Sequence, residues 1–171
     1  VYAFDVAEKR LAKLKPRLVR SGLSNVHPQR IDSERDPRVK RLAGKVDRVL
    51  VDAPCSGLGT LRRNPDLKWR QRESDLAELT AKQGAILAAA AALVKPGGRL
   101  VYATCSVLPE ENEAIAEAFL AAQPAFARES APALLRDARI DLPQQEDEYL
   151  RLRPDVHDTD GFFACAMVRV R

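Results

Sequence analysis

Short runs of valine, leucine and isoleucine recur along the chain, each bounded by proline, glycine, serine or a charged residue. Such runs are typical of strands buried in a parallel sheet. They predict five strands, at residues 1–5, 26–31, 46–52, 99–104 and 162–170. The last of these alternates apolar and polar positions and is predicted to close the sheet.

Three helices are predicted between these runs. The first covers residues 8–21 and is closed by Gly22, the second covers residues 75–94, and the third starts at Pro109 and runs to about residue 122. Acidic residues directly after Pro109 lie where the helix macrodipole favours them. Strands separated by helices of this length indicate βαβ units, so the predicted fold class is α/β with a parallel sheet.

The remaining segments have no clear period. Residues 33–45 predict a loop or a short helix, and residues 124–160 are predicted to be irregular. Residues 56–72 contain two glycines and a proline and predict a long ordered loop, which in a compact domain is usually functional. Without repeats or a low-complexity tail, residues 1–171 are interpreted as a single domain.

Composition limits the class of protein. The chain has 171 residues, of which 46% are hydrophobic and 30% charged, as in an ordinary globular domain. No apolar stretch approaches the roughly 20 residues that span a bilayer, and no cationic leader precedes the first strand, so neither a membrane nor secretion is expected. Three cysteines, an odd number, fit no disulfide framework and indicate a reducing cytoplasm. No Cys or His spacing makes a zinc site, so no metal is expected.

Charge is unevenly distributed. Residues 8–48 carry thirteen Lys or Arg against five acids, whereas residues 129–160 carry nine acids against four bases. A second basic segment, from Arg62 to Arg72, directly follows the first cysteine-containing turn. This pattern suggests a face for a phosphate backbone, although charge runs of this kind are more often solvated helix faces.

Two cysteines follow predicted strands. Cys55 comes after the strand that ends at Asp52, and Cys105 comes after the strand that ends at Thr104. Since ligands bind at the carboxyl ends of strands in an open parallel sheet, both thiols are expected where such a fold carries its chemistry. Two thiols with an aspartate beside the first suggest a covalent reaction, but spacing alone leaves the two cysteines equal.

Four extended blocks carry a family resemblance. They are Asp52-Ala-Pro-Cys-Ser-Gly, Arg63-Asn-Pro-Asp-Leu-Lys-Trp69, Tyr102-Ala-Thr-Cys-Ser-Val-Leu-Pro-Glu-Glu-Asn112 and Asp160-Gly-Phe-Phe163. In this order they closely resemble the RsmB/Sun (NOL/NOP2/Sun) family of RNA cytosine-5 methyltransferases, most nearly its bacterial small-subunit rRNA members. The resemblance covers almost the whole chain. It implies a Rossmann-like fold that uses S-adenosylmethionine (SAM) and has an antiparallel last strand.

The resemblance also implies roles for the cysteines. Carbon 5 of cytosine is too weak a nucleophile to take a methyl group unaided, and a thiolate that adds to carbon 6 activates it. The family pattern assigns this attack to Cys105 and product release to Cys55. Asp52 is implied to contact the cytosine edge and the cofactor.

Cofactor and RNA contacts follow from the same resemblance. Asp5, at the end of the first strand, matches the acid that holds the ribose hydroxyls of SAM. Asp32 matches the acid near the adenine, with Glu34 and Asp36 as local competitors. Arg62, Arg63 and Lys68 are expected to contact RNA phosphates at the edge of the site. Trp69 either stacks on a base or packs under the loop, and packing is preferred.

The chain departs from the family pattern at its start. In the family, an N-terminal RNA-binding domain, a first strand and a Gly-rich loop that cradles SAM precede the strand that here begins at Val1. The resemblance therefore leads us to expect the N-terminal part of the same polypeptide as a partner for this chain. The alternative function is a truncated, non-catalytic remnant that binds RNA.

Overall fold

A computed structural model of the protein describes residues 1–143 and 147–171. The prediction of irregular structure for residues 144–146 lies outside these residues. The chain forms two compact units, Val1–Leu42 and Ala43–Arg171. Within the described ranges, no helix has the length and apolar character to cross a membrane.

The first unit is a βαβ arrangement. β1 (Tyr2–Asp5) and β2 (His27–Arg30) pair in parallel, and α1 (Glu8–Ser21) connects them. Gly22 ends α1 with a φ of 66°, a left-handed conformation that glycine adopts without strain. The two predicted strands and the predicted helix of this region are confirmed. A short helix, α2 (Pro37–Lys40), follows in the segment predicted as a loop or short helix.

A five-stranded mixed sheet forms the second unit. β3 (Val46–Asp52) and β4 (Val94–Thr104) are parallel neighbours, and β7 (Phe162–Arg169) lies antiparallel to β4. β5 (Phe126–Glu129) and β6 (Leu150–Leu152) also pair with β7 in the antiparallel sense. The α/β class with an antiparallel last strand is thereby confirmed.

The α-helices in the described part of this unit are α3 (Leu67–Arg70), α4 (Glu73–Ala91), α5 (Glu113–Ala122), α6 (Ala131–Asp137) and α7 (Pro154–His157). The core includes Leu87 of α4, Phe119 of α5 and Leu100, Tyr102 and Met167 of the sheet. This core holds the carboxyl ends of β3 and β4 side by side.

Several sequence-based boundaries were wrong, including the end of the second predicted helix, which is Ala91 rather than residue 94. β4 begins at Val94 rather than residue 99, because the Pro96–Gly98 segment continues the strand through a register irregularity opposite Val46 and Arg48. α5 begins at Glu113 rather than Pro109, because residues 109–112 form turns. The segment predicted to be irregular contains two short strands and two short helices, each too short to carry a clear period.

Candidate active site

The two cysteines meet where β3 and β4 end. Asp52, the last residue of β3, is in register with Ala103 of β4, and Cys55 and Cys105 follow these strands. Their Sγ atoms lie 3.4 Å apart. This is a thiol–thiol contact and far exceeds the roughly 2.05 Å of a disulfide. Both thiols are free and partly buried, so they remain accessible for chemistry.

Gly59 allows the segment after Cys55 to pack directly against the backbone of Cys105. The Gly59 N–H donates to the Cys105 carbonyl at 2.9 Å, and the Gly59 carbonyl accepts from the N–H of Gly161 at 2.7 Å. A Cβ on Gly59 would lie 2.2 Å from the Gly161 carbonyl oxygen and 2.7 Å from that of Cys105. Only glycine permits this approach, which brings the segment after the first sequence block against the third and fourth blocks.

The two thiols have different acidities. With Cys55 as the donor, its hydrogen bond lowers the pKa of Cys105 to about 7, although burial and the negative charges of Asp52 and Glu111 raise it. The same hydrogen bond, together with burial, raises the pKa of Cys55. Cys105 is therefore the thiol that ionises near neutral pH, and a thiolate is the nucleophilic form of cysteine.

Asp52 lies beside this pair with its carboxylate available. Its side chain is exposed at the end of β3, and it makes no hydrogen bond to any other residue that the structure describes. Its charge nevertheless acts on Cys105, whose pKa it raises. A carboxylate in this position can accept hydrogen bonds from a bound ligand.

The other two predicted cofactor residues belong to the first unit. Asp5 ends β1, and its carboxylate accepts hydrogen bonds from the Ala7 N–H and from two nitrogens of Arg10, each at 2.7 Å. The Arg10 guanidinium is the main cause of the lowered pKa of Asp5. One lone pair on Oδ2 remains for a hydroxyl, so Asp5 fits a ribose contact.

Asp32 is the more accessible of these two acids. Its side chain is 69% exposed and forms an ion pair with Arg30 at 3.1 Å. Its competitor Asp36 is buried and caps α2, where it accepts hydrogen bonds from the N–H groups of Asp32 and Arg38. The other competitor, Glu34, has a side chain that is 23% exposed and pairs with Arg35 at 3.4 Å. Asp36 is thus committed to structure, whereas Asp32 is the most exposed carboxylate of the three.

Arg62 and Arg63 fasten their loop to the turn before β7. Arg62 pairs with Asp158 at 3.0 Å and donates to the Thr159 carbonyl, and Arg63 forms an ion pair with Asp160. Both arginine side chains remain partly exposed, at 42% and 69%. The Arg63–Asp160 ion pair joins two sequence blocks, which spacing did not predict.

Lys68 and Trp69 project from α3. The Lys68 ammonium lies 4.9 Å from the centroid of the Trp69 ring, and the Trp69 side chain is 80% exposed. The preference for packing under the loop was therefore wrong. Gln71, at the end of α3, donates to the Ser56 carbonyl at 2.7 Å, so this helix is anchored to the residue after Cys55.

One residue of the site was missed by sequence reasoning. Glu111 was interpreted as a first-turn acid of α5, but it is fully buried and its carboxylate accepts hydrogen bonds from Ser56 and Ser106. The available signal was its place in the block that contains Cys105. Cys165, by contrast, is buried in the sheet as expected of a small core residue.

Comparison with known proteins identifies the family. The family model described as 16S rRNA methyltransferase RsmB/F matches residues 1–168. The chain belongs to this RsmB/F family. The predicted family and the predicted methyltransferase fold are both confirmed.

Relatives within and around the RsmB/F family cover nearly all of the chain. Ribosomal RNA small subunit methyltransferase B of Salmonella arizonae is 40% identical over 169 residues, which is 99% of this chain and 36% of that protein. The proteins of the same name from Salmonella newport and Salmonella typhi are also 40% identical. The chain thus spans about a third of the length of these relatives.

Solved structures agree with this assignment. The crystal structure of PH0851 superposes with a TM-score of 0.85 at 38% identity, and covers 98% of this chain and 36% of its own. NSun6 from Pyrococcus horikoshii, crystallised with SFG, has a TM-score of 0.74 at 26% identity and covers 99% of this chain and 41% of its own. A methyltransferase homolog from the same organism has a TM-score of 0.73 at 33% identity, covering 98% of this chain and 52% of its own.

Proposed function

We propose that this chain carries the catalytic residues of an enzyme that methylates carbon 5 of a cytosine in ribosomal RNA, with SAM as the methyl donor. The observation that carries the proposal is the pair of free thiols 3.4 Å apart, one with its pKa lowered to about 7, in a member of the RsmB/F family. The proposed place of action is the cytoplasm, where thiols stay reduced.

Cys105 is the proposed nucleophile. Its thiolate adds to carbon 6 of the cytosine, so a carbon–sulfur bond forms and electron density moves to carbon 5. Carbon 5 then takes the methyl group that bound SAM supplies. Because its pKa is lowered to about 7, Cys105 supplies thiolate near neutral pH without a separate base to start the reaction.

Cys55 is proposed to complete the reaction. Once Cys105 is bound to the cytosine as a neutral thioether, Cys55 no longer donates to a thiolate, and the main cause of its raised pKa is removed. Cys55 then loses its own proton to water more readily, and the resulting thiolate accepts the proton from carbon 5. Departure of that proton restores the ring double bond, breaks the carbon–sulfur bond and returns Cys105 as a thiolate.

Three carboxylates are proposed to serve the ligands. Asp52, whose exposed side chain lies beside the thiols, is proposed to bind the cytosine edge and the donor's amino-acid end. Asp5 and Asp32 are proposed to hold the ribose and the adenine end of SAM. The presence of SFG, a SAM analogue, in the related NSun6 structure supports this choice of cofactor.

Identification of the modified nucleoside tests the proposal. The protein at its full encoded length is incubated with SAM and unmodified small-subunit rRNA, and the RNA is digested to nucleosides for mass spectrometry. We expect 5-methylcytidine that depends on both protein and SAM. Methylation on another atom would contradict the chemistry, and RNA binding without any methyl transfer would favour a non-catalytic remnant.

The basic loop after Cys55 is the proposed RNA contact. It carries Arg62, Arg63 and Lys68, and the exposed ring of Trp69 stands next to Lys68. Cations bind phosphates without regard to sequence, and an exposed aromatic ring stacks on unpaired bases. Such a loop suits unpaired RNA at the edge of the cysteine pair.

Replacing Arg62, Arg63 and Lys68 together by alanine is expected to weaken RNA binding and its dependence on salt. If three phosphates are contacted, the slope of log affinity against log salt should flatten by about 2. Fluorescence anisotropy with labelled RNA at several salt concentrations measures this slope. The matched control removes three exposed cations elsewhere, Lys82, Arg136 and Arg171. Equal slopes for the two triple variants would rule out the loop as an RNA contact.

A further inference from the structure

Glu111 is a buried carboxylate without a part in the proposed chemistry. It has no exposed surface and lies two residues before α5 begins. Placing an ionised carboxylate in the protein interior is unfavourable unless several donors surround it. The donors around Glu111 therefore indicate what its burial achieves.

These donors belong to the loops of both cysteines. The Ser56 N–H donates to Oε1 at 2.8 Å and the Ser56 hydroxyl to Oε2 at 2.5 Å. The Ser106 hydroxyl also donates to Oε2. Ser56 and Ser106 directly follow Cys55 and Cys105, and their hydroxyl oxygens lie 3.2 Å apart. One carboxylate thus joins the residues next to the two thiols.

Two further residues, Gln83 and Tyr102, hold the side chain and the backbone of Glu111 in place. Gln83 of α4 donates to Oε1 at 3.0 Å and also to the Pro54 carbonyl at 2.9 Å. The Glu111 carbonyl accepts from the Tyr102 hydroxyl at 2.6 Å, which ties it to β4. Hydrogen bonds to an ionised carboxylate are stronger than those between neutral groups, so the bonds to the Glu111 side chain hold it rigidly.

We propose that Glu111 is a positioning residue that clamps the two cysteine loops together and so sets the contact between the thiols. The proposal rests on the proposed function, because the contact matters only if the thiols react. Glu111 is assigned no contact with RNA or with the cofactor; it acts through Ser56 and Ser106.

The pKa of Cys105 distinguishes a positioning role of Glu111 from a purely electrostatic one. The groups that act on its pKa are Cys55, which lowers it by hydrogen bonding, and Asp52 and Glu111, whose charges raise it. If Glu111 were only a nearby charge, its neutralisation would lower the pKa of Cys105 further. If Glu111 is a clamp, its neutralisation loosens the Cys55 hydrogen bond, the largest contribution, and the pKa rises.

Alkylation across pH measures this acidity. The chain and its Glu111→Gln and Glu110→Gln variants are treated with iodoacetamide between pH 5.5 and 9.5, and modification of the Cys105 peptide is followed by mass spectrometry. Glu110 is the exposed neighbour, so its replacement removes the same charge without touching the serines. We expect midpoints of about 7 for the unchanged chain and the Glu110 variant.

For Glu111→Gln we expect the midpoint to move toward the ordinary cysteine value of about 8.5. Since a thiol of higher pKa gives a more nucleophilic thiolate, alkylation should be about threefold slower at pH 7 and several-fold faster above pH 9, so the two profiles cross. A midpoint that is unchanged or lower, in a variant with the original circular dichroism spectrum, overturns the proposal.

Two milder variants cover the case in which Glu111→Gln does not fold. Ser56→Ala and Ser106→Ala each remove one hydroxyl donor of the clamp, and each should raise the midpoint in the same direction by less. Absence of any rise in both also overturns the proposal. Because alkylation requires neither RNA nor SAM, its outcome is independent of whether the proposed methyl transfer is correct.

Discussion

Replacement of Cys105 by alanine is expected to abolish both methyl transfer to RNA and covalent capture of RNA. The variant lacks the only thiol of the pair whose pKa lies near neutrality, and Cys55, with its raised pKa, cannot replace it. Loss of a covalent nucleophile costs an enzyme roughly three orders of magnitude in rate or more. Incorporation of labelled methyl groups into rRNA, with the protein at its full encoded length, measures the effect.

Cys165→Ala is the matched control. This third cysteine is buried in β7, where burial raises its pKa to about 12. Its removal leaves a small cavity that destabilises the fold by about 1 kcal/mol but should leave methyl transfer intact. Methylation by the Cys105 variant at a rate comparable to this control would contradict the assignment of the nucleophile.

Replacement of Cys55 by alanine is expected to increase the amount of protein that is covalently bound to RNA. Attack by Cys105 becomes somewhat slower at pH 7, because loss of the Cys55 hydrogen bond raises the pKa of Cys105. Release slows much more, by roughly a hundredfold or more, since the group that accepts the carbon-5 proton is missing. The variant should therefore accumulate as a complex with methylated RNA that survives denaturing electrophoresis.

Cys55→Ser provides a graded comparison. Its hydroxyl keeps a donor toward Cys105 but ionises far less readily than a thiol, so capture should persist while attack is closer to normal. The complexes should form only when SAM is present. If the Cys55 variants fail to capture RNA while Cys105→Ala does capture it, the two roles must be exchanged.

Much of the scaffold could be predicted from the sequence because its signals are local. The bounds of α1 follow from its apolar spacing and from Gly22, and the bounds of β3 follow from a short valine-rich run that ends at Asp52. The convergence of Cys55 and Cys105 follows from a general property of parallel sheets, in which the carboxyl ends of neighbouring strands share one edge. These inferences needed no knowledge of distant contacts.

The parts that were missed depend on contacts between distant residues. Arg63 and Asp160 form an ion pair although they are far apart in sequence. The type of a charged residue does not indicate which opposite charge it will contact. Glu111 was interpreted from its neighbours as a helix-start acid, whereas its environment comes from Ser56, Ser106 and Gln83. Short elements such as β6, with three residues, exist because β7 offers a pairing edge, not because of their own pattern.

Identification of the cysteine that bonds to cytosine tests the central claim most directly. RNA that carries 5-fluorocytosine can be attacked at carbon 6 and methylated, but it cannot lose fluorine from carbon 5, so the covalent complex persists. After incubation with this RNA and SAM, the protein at its full encoded length is digested, and the peptide that carries the nucleotide is sequenced by mass spectrometry. We expect a methylated nucleotide on Cys105. A nucleotide on Cys55, or the absence of any adduct from a protein that still methylates ordinary RNA, would contradict it.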